Sequence, residues 1–479
     1  MPIDPMDRDS GNPGRPDDSG AGSLAVSHAF SSVWTKITPI TREANARRGG
    51  RVSGSVICPP DKSLTHRAVM FASLARGESR ILDPLLGADC RSTMSVFRKL
   101  GVEIAVAADG VTVRSPGWKS LRSPAVHLDC GNSGTTARLL LGILAATPGI
   151  NCHLTGDPSL SRRPMGRVSR PLRNVGATIV ATVPFGGGET LPLEVNGAVL
   201  RGGTHVVDKA SAQVKSALLL AGMNVDGETT IELPSGSRDH TERMLLKLGA
   251  KLRVEQVGGV ERISLRGPVT PQPINCRIPG DPSSAAFMAV AAALAGGGRL
   301  RIVRVMANPT RAGFIAVLRR MGVSITTTAH EDPLLCEDAV DLDVVAGAEL
   351  RGTDMLADEI PALVDEVPVL ALAAAFANSP SVFHGLAELR VKESDRLQLT
   401  ADLVNAIGGR AEVVGDSLRV AGGLVRPKGF RFDPEGDHRL AMCAALAARH
   451  ADGEAEVCGM DCVVVSFPNF LEVLASAVR

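Results

Sequence analysis

The chain has 479 residues, 44% hydrophobic and 22% charged, with a formal net charge of +1. That length exceeds one ordinary core and predicts at least two domains, and the balanced charge supplies no basic field for nucleic acid or an acidic membrane. Aromatics make up 3% and tyrosine is absent, which argues against base-stacking platforms and leaves the interior to Ala, Leu and Val.

Residues 1–32 are rich in Asp, Gly, Pro and Ser, a composition with too little apolar surface to fold, and are predicted to form a disordered extension. Five Asp within the first 18 residues, and no apolar stretch after a basic start, speak against a transit or signal peptide; a cytoplasmic location is expected. Two strand-like stretches follow, Trp34 to Pro39 and Val52 to Cys58. Beyond them two kinds of helix alternate. One is apolar on nearly every face, begins near Lys62, Asn132, Ser211, Asp281, Ile360 and Asp437, and belongs inside a protein. The other is amphipathic and closes on Gly101, Gly176, Gly249, Gly322 and Gly408, about 73 to 86 residues apart. A glycine there is the expected left-handed cap. A hairpin pattern follows it, as in Val102 to Val106, Asp109-Gly110 and Val111 to Val113. The last amphipathic segment is Phe467 to Val478.

Six such pairs predict an α/β fold of six βαβαββ-type units. The sixth lacks closing strands, so the two N-terminal strands are expected to complete it. This divides the chain into a discontinuous domain, 33–60 plus 279–479, and a second domain, 61–278, with three units each and crossings near Pro59-Pro60 and Ile278-Pro279-Gly280. Nine scattered cysteines fit reduced thiols. Cys458 and Cys462 lack companion ligands for a zinc site, and the apolar run Ala285 to Leu294 is too short to span a bilayer.

The N-terminus of a buried helix presents free N–H groups and attracts anions. Four of the six buried helices place cations or hydrogen-bonding groups there: Asp61-Lys62-Ser63 with Arg67, Asn132-Ser133-Gly134-Thr135 with Arg138, Ser211-Ala212-Gln213 with Lys215, and Asp437-His438-Arg439. Capping explains the Ser, Asn and Asp residues and suffices for Asp281. It does not explain Arg67, Arg138 and Arg439 on apolar helices, where an unpartnered guanidinium is costly. The cluster implies a ligand with several anionic groups, most simply phosphate and carboxylate. The fifth helix carries acids instead: Asp358, Glu359, Asp365 and Glu366. Five of the seven residues from Arg390 to Arg396 are charged, and as a helix start they would put Lys392 and Arg396 on one face. Like charges at that spacing repel, which again points to a bound anion. No Gly-x-x-x-x-Gly-Lys-Ser/Thr loop is present, which argues against a nucleotide triphosphatase.

In their order these segments resemble the EPSP synthase (3-phosphoshikimate 1-carboxyvinyltransferase) family of enolpyruvyl transferases. The pieces are Pro60-Asp61-Lys62-Ser63 with Arg67, Gly131 to Thr135 with Arg138, Arg163-Pro164-Met165-Gly166, Ser211-Ala212-Gln213, Asp365, Val391 to Arg396, and Asp437-His438-Arg439. The resemblance spans about residues 33–479. It implies a two-domain enolpyruvyl-transferase-like fold, three repeats per domain, with the active site in the cleft between domains. It also implies the reaction: phosphoenolpyruvate and shikimate 3-phosphate give 5-enolpyruvylshikimate 3-phosphate and phosphate, by addition and elimination, with no metal or organic cofactor. Asp365 is then the base at the 5-hydroxyl, and Glu393 and Lys62 are both candidates for the acid. The resemblance assigns Lys62, Ser63, Arg67, Ser211, Ala212, Gln213, Arg238, Asp365 and Lys392 to shikimate 3-phosphate. To phosphoenolpyruvate it assigns Lys62, Gly134, Arg163, Gln213, Arg396 and Arg439.

The family further implies a monomer without nucleic-acid or membrane partners, an open form that closes on substrate, and inhibition by glyphosate. Ser211 to Lys215 and Ser237-Arg238-Asp239-His240 resemble the branch that includes glyphosate-tolerant enzymes, yet position 134 is Gly where the tolerant archetype has Ala. Val463 to Ser466 stands where many members carry a Lys before the final Phe-Pro. The sister UDP-N-acetylglucosamine enolpyruvyl transferases usually use a loop cysteine as acid, and no cysteine here has a comparable Gly-rich setting. A non-catalytic anion-binding scaffold would require Asp365 and Glu393 to be dispensable.

Overall fold

The computed structural model describes residues 32–40, 50–182, 187–347 and 349–478; apart from Ser32, the expected disordered extension lies outside the described residues. In chain order the α-helices are α1 (Lys62–Leu74), α2 (Ala88–Lys99), α3 (Gly134–Ala145), α4 (Gly166–Asn174), α5 (Ala212–Gly222) and α6 (His240–Lys247), followed by α7 (Pro282–Leu294), α8 (Gly313–Arg320), α9 (Val367–Ala375), α10 (Arg396–Ala406), α11 (His438–Arg449) and α12 (Phe470–Ala477). The odd-numbered helices are the apolar ones. Every residue of α7 and of α9 is buried, because neither sequence offers a polar stripe to solvent.

Local rules set most helix ends. Asp61, Ser133, Ser211, Asp281 and Asp437 each accept a backbone N–H from the first turn of the helix they precede. The glycines at 101, 176, 249, 322 and 408 all have φ between +76° and +113°, the conformation that ends an outer helix at least cost. The fifth buried helix departs from expectation. Residues Ile360–Ala362 and Val364–Glu366 form 3-10 turns, and the α-helix begins only at Val367. Pro368 is the reason: it has no N–H for a helix running from Ile360, but it fits a first turn.

Among the described residues there are six sheets, five of four strands and one of three. In a four-stranded sheet a leading strand lies parallel to the strand after the buried helix, and that strand pairs antiparallel with a hairpin. Gly203–Val206, Gly227–Pro234, Val260–Gly267 and Lys251–Val257 show the order. Trp34–Ile37 pairs antiparallel with Cys458–Ala455 and completes the three-stranded sixth sheet, as expected. The second N-terminal strand corrects the expectation. Ser55–Ile57 pairs parallel with Arg301–Val303 in the fourth sheet, not the sixth. The cause is an exchange: Asn275–Arg277, the strand leading into α7, pairs with Arg80–Leu82 in the first sheet, so the fourth sheet takes its leading strand from before α1.

The exchange brings two crossings together, with Asp61 N donating to Pro279 O and Asp281 N to Pro59 O, both at 2.8 Å. Two apolar clusters lie on either side. One joins Ile37, Ile40, Val52, Val56 and Cys58 to residues between Ala285 and Val478; the other runs from Leu64 to Ile278 and takes in Met306 and Cys336. Within the second, Gly142 of α3 lies directly against the Ala217 backbone of α5. No helix among the described residues is long and apolar enough to cross a membrane, and all nine cysteines are buried and unpaired.

Candidate active site

The centre of the site is Asp365, held in the 3-10 turn ahead of α9. Four cations converge on its carboxylate from three other segments: Arg238 at 2.6 Å, Arg396 at 3.3 Å, Lys392 at 3.6 Å and Arg439 at 4.0 Å. Burial alone would raise this acid, but Lys392, Arg439, Arg238 and Arg396 outweigh it and hold it well below the ordinary carboxylate range. Asp365 is therefore ionised at neutral pH.

Lys392 and Arg396 do not share a helical face. Residues Ala387–Val391 form a 3-10 turn, and α10 starts at Arg396, fixed by Asp395, whose side chain accepts from Gln398 N. Lys392 sits in the connection and also bonds Glu388 at 2.7 Å. Arg396 is 1% exposed and meets three carboxylates: Glu393 at 2.6 Å, Asp437 at 2.8 Å and Asp365. The like-charge pair is thus reconciled by shared protein carboxylates.

Glu393 stands at the surface with its carboxylate turned onto Arg396. Burial of that carboxylate opposes ionisation, but Arg396, His438, Lys62 and Arg163 hold it far below the usual range. Lys62, on the first residue of α1, bonds Asp89 at 3.0 Å. Burial would lower its pKa, and Asp89 and Glu393 more than offset that, so it is raised. In this arrangement Lys62 holds a proton and Glu393 does not.

A second group forms where α3 and α5 begin. Arg138 Nη1 donates to Gln213 Oε1, and Gln213 Nε2 donates to Thr135 Oγ1 at 3.0 Å. Arg163 donates to Asn132 Oδ1 at 2.8 Å and Ser159 Oγ at 3.3 Å. Among the described residues these two guanidiniums hydrogen-bond only to neutral acceptors. Gly134, the first residue of α3, lies between them; a Cβ there would stand 3.2 Å from Arg138 Nη1 and 3.6 Å from Arg163 Nη1. Ser63, Ser211 and Ala212 are half-buried at the heads of α1 and α5.

Arg67 has protein partners that the sequence did not reveal. It is buried and makes three hydrogen bonds, with Nε on Thr241 Oγ1 (2.8 Å), Nη2 on Ser216 Oγ (2.8 Å) and Nη1 on Ser63 O (3.1 Å). Burial lowers its pKa to about 10. Sequence reasoning missed Asp89 and Asp437 as charge partners. An acid in the first turn of α2 reads as a dipole partner, and Asp437 as a plain cap. A cavity beside Gly203–Val206, lined by Pro171, Asn174, Arg201 and His205, holds none of the candidate residues.

This fold is shared with solved enolpyruvyl transferases. EPSP synthase from Acinetobacter baumannii superposes with a TM-score of 0.81 at 37% identity, covering 93% of this chain and 98% of that one. The enolpyruvyl transferase NikO from Streptomyces tendae gives 0.69 at 20% identity, a likeness of fold alone. Fold and charged centre define an enolpyruvyl-transferase-type enzyme. Residues 46–474 match the family described as EPSP synthase (3-phosphoshikimate 1-carboxyvinyltransferase). Curated proteins named 3-phosphoshikimate 1-carboxyvinyltransferase are 41% identical over 90% of this chain and 100% of theirs in Bacillus cytotoxicus, and 45% identical over 88% and 96% in Pelotomaculum thermopropionicum. The chain belongs to the EPSP synthase family and is a transferase.

Proposed function

We propose that the charged centre binds phosphoenolpyruvate and shikimate 3-phosphate together and transfers the carboxyvinyl group to the 5-hydroxyl, releasing phosphate, as a step of the shikimate pathway. The observation that carries the roles is the opposed environment of two residues: Asp365 is held ionised by four cations at 2.6–4.0 Å, and Lys62, bonded to Asp89 at 3.0 Å, keeps its proton. A base must be ionised and an acid protonated at the working pH. Asp365 takes the proton of the 5-hydroxyl. Lys62 protonates the enol methylene, and Glu393, ionised beside Arg396, serves as its charge partner.

Arg138 and Arg163, which among the described residues hydrogen-bond only to neutral acceptors, suit the phosphate of phosphoenolpyruvate, with Gly134 leaving room and Gln213 nearby. Arg396 and Arg439 suit its carboxylate, once that anion displaces part of their contact with Asp365. Ser63, Ser211, Ala212, Gln213, Arg238 and Lys392 surround shikimate 3-phosphate; Arg67 supports Ser63 from behind. The two apolar clusters support a division into 33–60 plus 279–479 and 61–278. A monomer in the cytoplasm is the simplest state, and nine unpaired thiols suit that compartment.

Phosphate release on mixing both substrates tests the reaction. Asp365→Asn is expected to fold, bind shikimate 3-phosphate and lose about 10²- to 10⁴-fold in kcat. Release that requires UDP-N-acetylglucosamine in place of shikimate 3-phosphate, or that survives the substitution, would contradict it.

A further inference from the structure

Among the described residues the loop between the strand Arg299–Met306 and α8 makes no hydrogen bond to Asp365, yet its side chains reach into the junction of the two apolar clusters. Asn308 donates to Asp239 Oδ1 at 2.7 Å and Glu337 Oε2 at 2.8 Å, one residue from Arg238. Arg311, 2% exposed, bridges two buried carboxylates: Nη1 to Asp61 Oδ2 at 3.0 Å and Nη2 to Asp281 Oδ1 at 2.9 Å. Those aspartates cap α1 and α7, the helices that begin directly after the two crossings.

Capping does not consume them. Asp61 gives Oδ1 to Leu64 N and leaves Oδ2 for Arg311, while Asp281 Oδ1 serves Ser283 N and Arg311 together. What the guanidinium adds is the relation between the helices. A planar fork can hold two carboxylates in fixed directions, where an ammonium offers one point charge. Without it, two buried carboxylates at adjacent crossings would each lose the ion pair they make. The link continues on one side to Lys62 and Ser63 at the head of α1. On the other, Arg311 Nη2 donates to Ser283 Oγ at 3.2 Å, and that hydroxyl meets Glu366, the neighbour of Asp365.

We propose that Arg311 is a positioning residue for the transfer: by holding the caps of α1 and α7 on one guanidinium, it sets the distance between Lys62 and Asp365. It touches no substrate. Most of the shikimate 3-phosphate contacts, Ser63, Ser211, Gln213 and Arg238, lie on one side of the junction, so binding of that substrate does not depend on the bridge, whereas turnover needs both sides in register.

The inference rests on the reaction proposed above, so wild-type phosphate release is measured first; no release by wild type overturns that reaction and leaves Arg311 aside. With an active wild type, Arg311→Met, Arg311→Lys and Asp281→Asn are compared by kcat per folded site, by calorimetric affinity for shikimate 3-phosphate and by Tm. Asp281→Asn keeps a capping oxygen and loses only the charge in the bridge, so it decides the matter if Arg311→Met does not fold. The expected result is a fall in kcat of about ten-fold or more in all three, with substrate affinity within about three-fold of wild type. Unchanged kcat per folded site, kcat and affinity falling together, or full activity in Arg311→Lys would each overturn the proposal.

Discussion

Asp365 accepts four cations while its sequence neighbour, Glu366, has the opposite environment. Glu366 is wholly buried, meets Ser283 through one oxygen and leaves the other without a partner among the described residues. Burial and the Asp365 charge raise its pKa, against the pull of Arg311, Arg439 and Arg238. A raised folded value means that its contribution to stability is complete below the unfolded value of about 4.3 and is lost as pH rises through the folded value. Glu366→Gln keeps the neutral shape, so Tm should rise against wild type near pH 8 and match it near pH 4; equal shifts at both would refute this. Gly134 carries the other residue-scale expectation. A methyl there crowds Arg138 and Arg163, so Gly134→Ala should weaken glyphosate inhibition about ten-fold or more while raising the KM for phosphoenolpyruvate less. Equal inhibition of both proteins would remove the steric argument.

At the scale of elements, close packing of buried helices depends on single atoms. A Cβ on Gly142 would collide with the carbonyl oxygen of Ala217, a backbone atom of α5 that cannot swing aside. Gly142→Ala should therefore cost about 1–3 kcal/mol or more in denaturant unfolding; a neutral result would mean that α3 and α5 separate easily. Much of this layer was legible in the sequence because its rules are local. Caps at Asp61, Ser133, Ser211 and Asp281, and glycine ends at Gly101 through Gly408, follow from neighbours in the chain. What failed was non-local or hidden behind a second signal. Pro368 moved the start of α9, Asp395 set the start of α10 beyond Lys392, and the exchange of Ser55–Ile57 for Asn275–Arg277 depends on pairing across 195 and 246 residues (Asn275 with Arg80, Arg301 with Ser55). The partners of Arg67, the hydroxyls of Thr241 and Ser216, were not legible because they lie far away in sequence.

The whole molecule is joined across its two clusters in two different ways. Near the crossings, Arg311 holds Asp61 and Asn308 holds Asp239; in the site, Arg238 holds Asp365 at 2.6 Å. The chain itself passes only at Pro59-Pro60 and Pro279-Gly280. A rotation that opens the site must break the Arg238–Asp365 pair, and the buried bridge fixes the register to which the two sides return on closing. Within the site, among the described residues, the Arg238–Asp365 pair opposes opening, a partly exposed contact of modest net worth, while His240–Glu337, Arg277–Asp332 and Arg304–Asp83 join the two parts elsewhere. With the contacts proposed above, which come from both sides, shikimate 3-phosphate would bind the closed arrangement better and shift the population towards it. Small-angle scattering should accordingly show a smaller radius of gyration on adding shikimate 3-phosphate. Arg238→Ala should need more of that substrate for the same compaction, because it loses both a ligand contact and the pair that closes the empty site. A radius that ignores the substrate would mean that the closed arrangement is already the resting one, and that the ion pairs around Asp365 hold it there unaided.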